Sequence, residues 1–271
     1  MATAIVYGTF VKYGTEIYRS ATYLQWGNST ELIGACILCN PGIAVIEARG
    51  LYIHGPINEG REFTGVIKAD EAIKQIISFV EKLYQGRKLE GIVYIYNLFS
   101  LLDAPANVFQ NREIDKKINV GVLFKSYRDF EQFADKFPWV LIAWGTDNRF
   151  QVYTQKERWL NYIKSNNIPY FGIRAVEYPG YIHPVLLTQS RKEKYIQDLL
   201  KQFRSEKLSL KKKQVSKVEN NQVGKKQVGD WGEKVGDMNS RVKKMKVSNR
   251  LFGFMSPETP TEIKTITKKR F

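Results

Sequence analysis

The alternation of apolar and polar residues near the start of the chain predicts a β-hairpin. Residues 3–13 and 16–25 both alternate in this way, and Tyr13-Gly14-Thr15 separates them. A continuous apolar run over residues 32–39 follows and stops at Asn40-Pro41-Gly42, which predicts a buried strand that ends in a turn. Pro41 disfavours helical backbone at Asn40, and Gly42 permits a tight turn.

Helical and strand-like segments alternate through the next part of the chain. Residues 70–85 carry an apolar stripe at helical spacing, which predicts a helix. Asp70 is suited to its N-cap and Gly86 to its C-terminal end. The capping-box spacing of Thr154 and Glu157 predicts the start of a later helix. Further helices are predicted over 126–136 and after Ser190, and further buried strands over 91–97, 139–145 and 168–173.

The order of these segments predicts an α/β fold, since strands that alternate with helices form a parallel sheet with helices on both faces. The expected architecture is a three-layer α/β/α sandwich. It has a central, mainly parallel four-stranded sheet, the N-terminal hairpin and a basic, disordered C-terminal arm. Residues 43–69 are predicted to be a long irregular loop, and long loops in compact domains are more often functional than not.

The charge of the chain is concentrated near its C-terminus. The formal net charge is +15, and residues 204–250 contain 14 Lys or Arg against 5 Asp or Glu. Such a segment buries too little apolar surface to fold alone, so we predict a domain over 1–203, a disordered arm over 204–250 and a tail over 251–271 with a short apolar island. The basic arm predicts a nucleic-acid partner, DNA first. A membrane surface and a tail that only aids solubility are the alternatives by charge alone.

Several classes of protein are disfavoured by what the sequence lacks. No apolar stretch is long enough to span a membrane and the N-terminus lacks signal-peptide order, so we expect a cytoplasmic protein without membrane association. Cys36 and Cys39 lie three apart on a strand and are expected to face opposite ways, which argues against a shared metal or disulfide. With His54 and His183 as the only histidines, we expect neither metal nor other cofactor.

The predicted parallel strands bring polar residues to one edge. Asn40, Asn97 and Trp144-Gly145 end three strands, and His183 follows the fourth. An amide can read a nucleobase edge through its paired donor and acceptor, and a neutral histidine can polarise a carbonyl oxygen. Each residue also has a simpler interpretation. Asn40 can be a plain strand-ending turn, Asn97 a helix cap, His183 a loop histidine and Trp144 a core residue.

Four short blocks carry a resemblance to a known family. They are Cys39-Asn40-Pro41-Gly42, Asn97-Leu98-Phe99, Ala143-Trp144-Gly145 and His183-Pro184. Together they resemble a bacterial and phage family named domain of unknown function 1643, over about residues 14–190. The chain departs from that family after Pro41, where Gly42-Ile43-Ala44-Val45-Ile46-Glu47 replaces a Ser-Thr-Ala and Asp-rich segment.

The same blocks resemble, more remotely, the uracil-DNA glycosylase superfamily, and this likeness implies roles for the residues. Asn40 would position the attacking water, and Pro41 and Gly42 would help to bind the base. Asn97 would read a flipped base, and His183 would support the base carbonyl. Trp144 would line the base pocket, and Tyr52 or Phe63 would stack on the base. Val185, Leu186 and Leu187 are candidates for a wedge that enters the duplex, although the His-Pro block lacks the Ser-Pro-Leu continuation of the uracil enzymes.

Three functions follow as alternatives. The first is a DNA glycosylase-like enzyme that acts on the N-glycosidic bond of a flipped base, either standard or modified, with Asp147 as a reserve candidate for the group that activates water. The second is a protein that binds a nucleotide or modified base without chemistry. The third is a nucleic-acid or host-factor interaction protein that acts through its basic arm. The sequence leaves the base, the strand state and the oligomeric state open.

Overall fold

A computed structural model describes most of the first 205 residues. The described residues are 3–41, 59–102, 117–176, 180–184 and 191–205. The chain divides into one unit over residues 1–220 and another over 221–271, and the second lies wholly outside the described residues. The predicted arm and tail fall almost entirely outside them as well, so both stay predictions.

The protein is a mixed α/β fold with a seven-stranded sheet. The strands are β1 (Ile5–Tyr13), β2 (Glu16–Trp26), β3 (Leu32–Leu38), β4 (Phe63–Val66), β5 (Gly91–Asn97), β6 (Val140–Ile142) and β7 (Tyr170–Phe171). Their order across the sheet is β4-β1-β2-β5-β3-β6-β7. The predicted α/β class is therefore confirmed, while the sheet is larger than the four strands expected.

Two halves of different strand direction make up this sheet. β5, β3, β6 and β7 pair in parallel, whereas β4, β1 and β2 pair antiparallel. The halves join where β2 pairs antiparallel with β5, from Thr22 opposite Ile95 to Trp26 opposite Gly91. The predicted hairpin thus forms and extends the parallel strands instead of standing beside them.

Helices follow the strands on both sides of the sheet. They are α1 (Glu71–Leu83), α2 (Val120–Leu123), α3 (Lys125–Phe133), a 3₁₀ turn (Ala134–Lys136), α4 (Phe150–Ser165) and α5, which covers residues 191–205. The predicted N-cap of α1 is confirmed, because a carboxylate oxygen of Asp70 accepts a hydrogen bond from the backbone N–H of Ile73 at 2.8 Å. No helix in these ranges combines the length and apolar content needed to cross a membrane.

Two local predictions were wrong. Residues 63–66 form β4, which pairs with β1 across the sheet, although they lie inside the segment predicted to be irregular. α4 begins at Phe150, so Thr154 lies in its second turn and its hydroxyl donates to the carbonyl of Phe150 at 2.9 Å. The capping-box spacing of Thr154 and Glu157 is therefore coincidental.

The core consists of two clusters, one on each face of the sheet. Consecutive residues of β3 divide between them: Cys36 and Leu38 belong to the first core cluster, and Ala35 and Ile37 to the second. Residues of α1 and α5 complete the first core cluster, and residues of α3 and α4 complete the second. Cys39 packs against the second core cluster, so the two free cysteines lie on opposite faces as predicted.

Candidate functional site

Three neighbouring strands bring predicted site residues to one edge of the sheet. β3 lies between β5 and β6 and runs parallel to both. Asn97 is the last residue of β5, Asn40 lies two residues beyond the end of β3, and Gly145 lies three residues beyond the end of β6. The carboxyl ends of parallel strands are where α/β proteins commonly bind ligands.

Asn97 is the most deeply buried of these residues. It is 1% exposed, and its side-chain Oδ1 has no hydrogen-bond partner within the described ranges. A buried carbonyl oxygen without a partner costs about 1–3 kcal/mol. Since Asn97 caps no described helix and its acceptor is unused, a helix-capping role does not explain it.

The turn after β3 places Asn40 beside the end of β5. Leu38 pairs with Asn97, and the carbonyls of Leu38 and Cys39 accept hydrogen bonds from Leu98 N and Phe99 N at 3.0 and 3.1 Å. Asn40 is half-buried and Pro41 is buried. Gly42, Tyr52 and His54, which follow in the long loop, lie outside the described residues.

His183 approaches this edge from the far side of β6. A Cβ placed on Gly145 would lie 3.6 Å from the Cβ of His183, and Gly145 N donates to the carbonyl of Tyr181 at 2.8 Å. Gly145 has a φ of +80°, in the region that favours glycine. Burial lowers the pKa of His183 to about 4, although the charge of Asp70 acts to raise it. The imidazole is therefore uncharged at neutral pH.

The low pKa of His183 predicts a pH-dependent loss of stability. The unfolded chain takes up a proton near pH 6.5, while folded His183 takes it up near pH 4. The contribution of the neutral His183 ring to the free energy of unfolding is therefore fully present above pH 6.5. It is lost as the pH falls toward 4, by up to about 3 kcal/mol. We expect the stability difference between the wild-type protein and the always-neutral His183→Gln variant to shift by that amount across this interval. Urea unfolding at each pH measures it, and a constant difference would contradict the assignment.

Three polar side chains that the sequence analysis did not group lie buried on one face. Arg19 is 3% exposed, Thr22 0% and Asn97 1%. In the part of the chain that the structure describes, no hydrogen-bond partner is found for Nε and Nη1 of Arg19, Oγ1 of Thr22 or Oδ1 of Asn97. Their cross-strand partners all belong to the first core cluster and are, respectively, Phe10, Ile95 and Leu38. We call Arg19, Thr22 and Asn97 the polar cluster.

The pairing of β2 with β5 sets the position of the polar cluster. Thr22 pairs with Ile95, and Arg19 N donates to the carbonyl of Ser100 at 2.8 Å. Asn97 lies between those two positions on the β5 side. A bulge in β2 leaves Ser20 without a partner in the β1 register, so residues 18–20 are all buried and the alternation of the strand is interrupted.

The carboxylate of Asp70 lies within electrostatic range of the polar cluster. Asp70 caps the N-terminus of α1, whose side chains Ile73 and Ile76 pack in the first core cluster. The charge of Asp70 acts to raise the pKa of both Arg19 and His183, so all three groups lie within electrostatic range. Asp70 is half-buried and makes no ion pair with Arg19.

A second polar group occupies the other face of the same edge. The buried ammonium of Lys156 donates to the carbonyls of Gly145 and Asp147 at 2.8 and 2.5 Å. Burial lowers the pKa of Lys156 and raises that of Cys39 to about 11, and the charge of Lys156 opposes the shift of Cys39. The Lys156 contacts thus hold the turn that carries Gly145.

Asp147, the reserve candidate for activating water, is committed to an ion pair. Its carboxylate accepts hydrogen bonds from the backbone and the guanidinium of Arg149. Partial burial acts to raise the pKa of Asp147, but the hydrogen bonds and charge of Arg149 outweigh it and the net shift is downward. A carboxylate held in this way is a poor proton acceptor.

The remaining predicted residues do not join the polar cluster. Trp144 is 2% exposed and packs edge-on against Tyr181 in the second core cluster, across the sheet from Asn97. Phe63 packs against the first core cluster from β4. Val185, Leu186 and Leu187 lie outside the described residues. Within the described part of the chain, no group of three or more His, Cys, Asp or Glu side chains is placed to hold a metal.

Comparison of the chain with protein-family models, with curated proteins and with solved structures finds no match.

Proposed function

We propose that the protein is a DNA glycosylase-like enzyme that acts on the N-glycosidic bond of a flipped nucleobase, either standard or modified. The observation that carries this proposal is the unpartnered Oδ1 of Asn97, 1% exposed at the end of β5, at the same sheet edge as an uncharged histidine. The resemblance of the four sequence blocks to the uracil-DNA glycosylase superfamily supports it.

Recognition of the base follows from the amide of Asn97. An amide offers an acceptor and a donor side by side, as does the Watson–Crick edge of a base. A base N–H that bonds to Oδ1 would remove the cost of an unpaired buried oxygen, which offsets part of the few kcal/mol needed to extrude the base. Part of the binding free energy therefore comes from pairing an oxygen that is unpaired in the unliganded protein.

Hydrolysis needs a positioned water and a stabilised leaving base. Asn40 orients the water. The oxygen of this water forms a bond to the sugar C1′, and the electron pair of the broken C1′–N bond goes to the base. Neutral His183 donates a hydrogen bond to the carbonyl on which this charge collects. Asp70, half-buried and within electrostatic range of His183, accepts the proton of the water in this scheme, and the proton then passes to the departed base.

Fold and charge fit the same proposal. Helices packed in a core cluster on each face of the sheet support a three-layer α/β/α arrangement whose carboxyl edge holds the site. The basic segment 204–250 supplies sequence-independent attraction to phosphates, and this attraction weakens as salt is raised.

Base release from defined DNA tests the proposal. Single- and double-stranded oligonucleotides with uracil, mismatched thymine, hypoxanthine or hypermodified bases are incubated with the full chain, and abasic sites are then cleaved with alkali. We expect strand breaks at one class of base, with rates at least about 100-fold lower for Asn40→Ala and for Asp70→Asn, which keeps a helix cap but removes the charge. Asn161→Ala, an exposed position on α4, is the matched control.

The outcomes separate the alternatives. No abasic product from any base overturns the hydrolytic form, and tight base binding that survives Asn40→Ala then identifies a binding protein without chemistry. A variant that lacks residues 204–271 and loses nucleic-acid binding completely identifies an interaction protein that acts through its arm. Weakened but surviving base release from that variant supports the glycosylase.

A further inference from the structure

Arg19 is a buried cation that forms no ion pair with any residue in the described part of the chain. Its side chain is 3% exposed, and among the described residues Nε and Nη1 have no hydrogen-bond partner and the residue takes part in no ion pair. Burial lowers its pKa to about 10, with Asp70 acting in the opposite direction. The guanidinium is therefore still charged at neutral pH.

An unpaired buried charge is costly, and buried charges in proteins are normally paired. A bound anion would supply the partner that Arg19 lacks. Asp70 acts on Arg19 only through its charge, since the two residues form no ion pair, and Oδ1 of Asp70 accepts a hydrogen bond from the N–H of Ile73. Guanidinium donors in a buried site match the oxygens of a phosphate, which can accept several charge-assisted hydrogen bonds at once.

The position of Arg19 relates it to the base site. Arg19 and Thr22 flank Asn97 across the β2–β5 pairing, and all three side chains face the first core cluster. Asp70, the N-cap of the 13-residue helix α1, lies within electrostatic range of Arg19. A helix N-terminus carries partial positive charge and favours an anion.

We propose that Arg19 binds the phosphate of the nucleotide whose base lies against Asn97, with Thr22 as a further donor. The protein then recognises a nucleotide, not a free base or nucleoside. This inference rests on the proposed function for the position of the base, but the phosphate site itself rests on Arg19. The phosphate can be the terminal group of a mononucleotide or a diester of single-stranded DNA.

Two titrations of the full chain test this site. Thermal unfolding is followed with inorganic phosphate, and calorimetry compares the four 5′-deoxynucleoside monophosphates with their nucleosides. We expect phosphate to raise the melting temperature of the wild-type protein and of Arg87→Met, an exposed control, but not that of Arg19→Met. We also expect one monophosphate to bind about 10–100-fold more tightly than its nucleoside, and Arg19→Met to remove that ratio.

Stability without ligand separates a binding role from a structural one. Since Nε and Nη1 of Arg19 have no hydrogen-bond partner among the described residues, Arg19→Met should leave the melting temperature unchanged or higher. A large fall together with equal binding of nucleoside and nucleotide by the wild-type protein overturns the proposal. If Arg19→Met does not fold, Arg19→Lys, which keeps the charge but not the fork of donors, should retain a reduced response to phosphate, and an undiminished response overturns the proposal.

The two proposals fail in different ways. If phosphate stabilisation depends on Arg19 but no nucleoside binds, the anion site stands and the base site at Asn97 is wrong. If nucleosides bind but Arg19→Met changes nothing, the base site stands and the phosphate site is wrong. A short single-stranded oligonucleotide without terminal phosphates that competes as well as the monophosphate identifies the diester as the source.

Discussion

Replacement of Asn97 by alanine is expected to weaken binding of the cognate nucleotide about 100-fold, while the free energy of unfolding changes by less than about 1 kcal/mol. The two effects separate because Oδ1 of Asn97 has no partner in the unliganded protein, so its removal breaks no hydrogen bond there. The small cavity left in the first core cluster is offset by the loss of an unsatisfied polar atom. Calorimetric titration with the nucleotide that binds the wild-type protein, paired with urea unfolding, measures both quantities.

Asn161→Ala on the exposed side of α4 is the control for this change and should alter neither quantity. A structural role would reverse the result for Asn97→Ala: stability would fall by several kcal/mol, and binding by the folded fraction would persist. That outcome would remove Asn97 from the base site.

Replacement of Lys156 by alanine is expected to lower the free energy of unfolding by about 3 kcal/mol. The Lys156 ammonium, in a side chain 6% exposed, is the shared donor to the carbonyls of Gly145 and Asp147, and both acceptors lose a charge-assisted hydrogen bond when it is removed. Because this turn holds Gly145 close to His183, we also expect base release to fall, although Lys156 is not among the residues proposed to contact the base. Urea unfolding and the abasic-site assay measure the two effects.

Lys164→Ala, an exposed lysine in the last turn of the same helix, controls for the loss of a lysine from α4. Lys156→Met keeps most of the apolar stem but not the donor, and should therefore cost less than Lys156→Ala. A loss below about 1 kcal/mol for Lys156→Ala would mean that the turn after β6 is held by other contacts.

Segments with strong, local signals could be predicted from the sequence. The hairpin, the strands at 32–38 and 91–97 and the helix capped by Asp70 follow from alternation, apolar runs and a cap. β4 could not be predicted because a four-residue strand has too few positions to show a period, and only its pairing with β1 defines it. The start of α4 was missed because Arg149 makes no side-chain cap.

The edge of the site could also be predicted, because Asn40, Asn97 and Gly145 follow strands that the apolar runs identify and parallel strands share one carboxyl edge. The sequence could not predict which side chains lie on each face of the sheet at that edge. A bulge at Ser20 changes which residues of β2 are buried, so Arg19 reads in the sequence as an ordinary exposed strand residue. From the sequence, Asp70 is predicted only to be a helix cap, and Lys156 is only a polar position on α4.

For this protein, the sequence by itself determined the α/β class, the strand ends and the polar residues placed on them, because period, caps and turns act over a few neighbours along the chain. Only the tertiary structure decided that the hairpin extends the sheet, that Trp144 lies across the sheet from Asn97, and that Arg19 and Thr22 flank Asn97. The physical reason is that these contacts depend on strand register and on a single bulge. A shift of one residue moves a side chain to the other face.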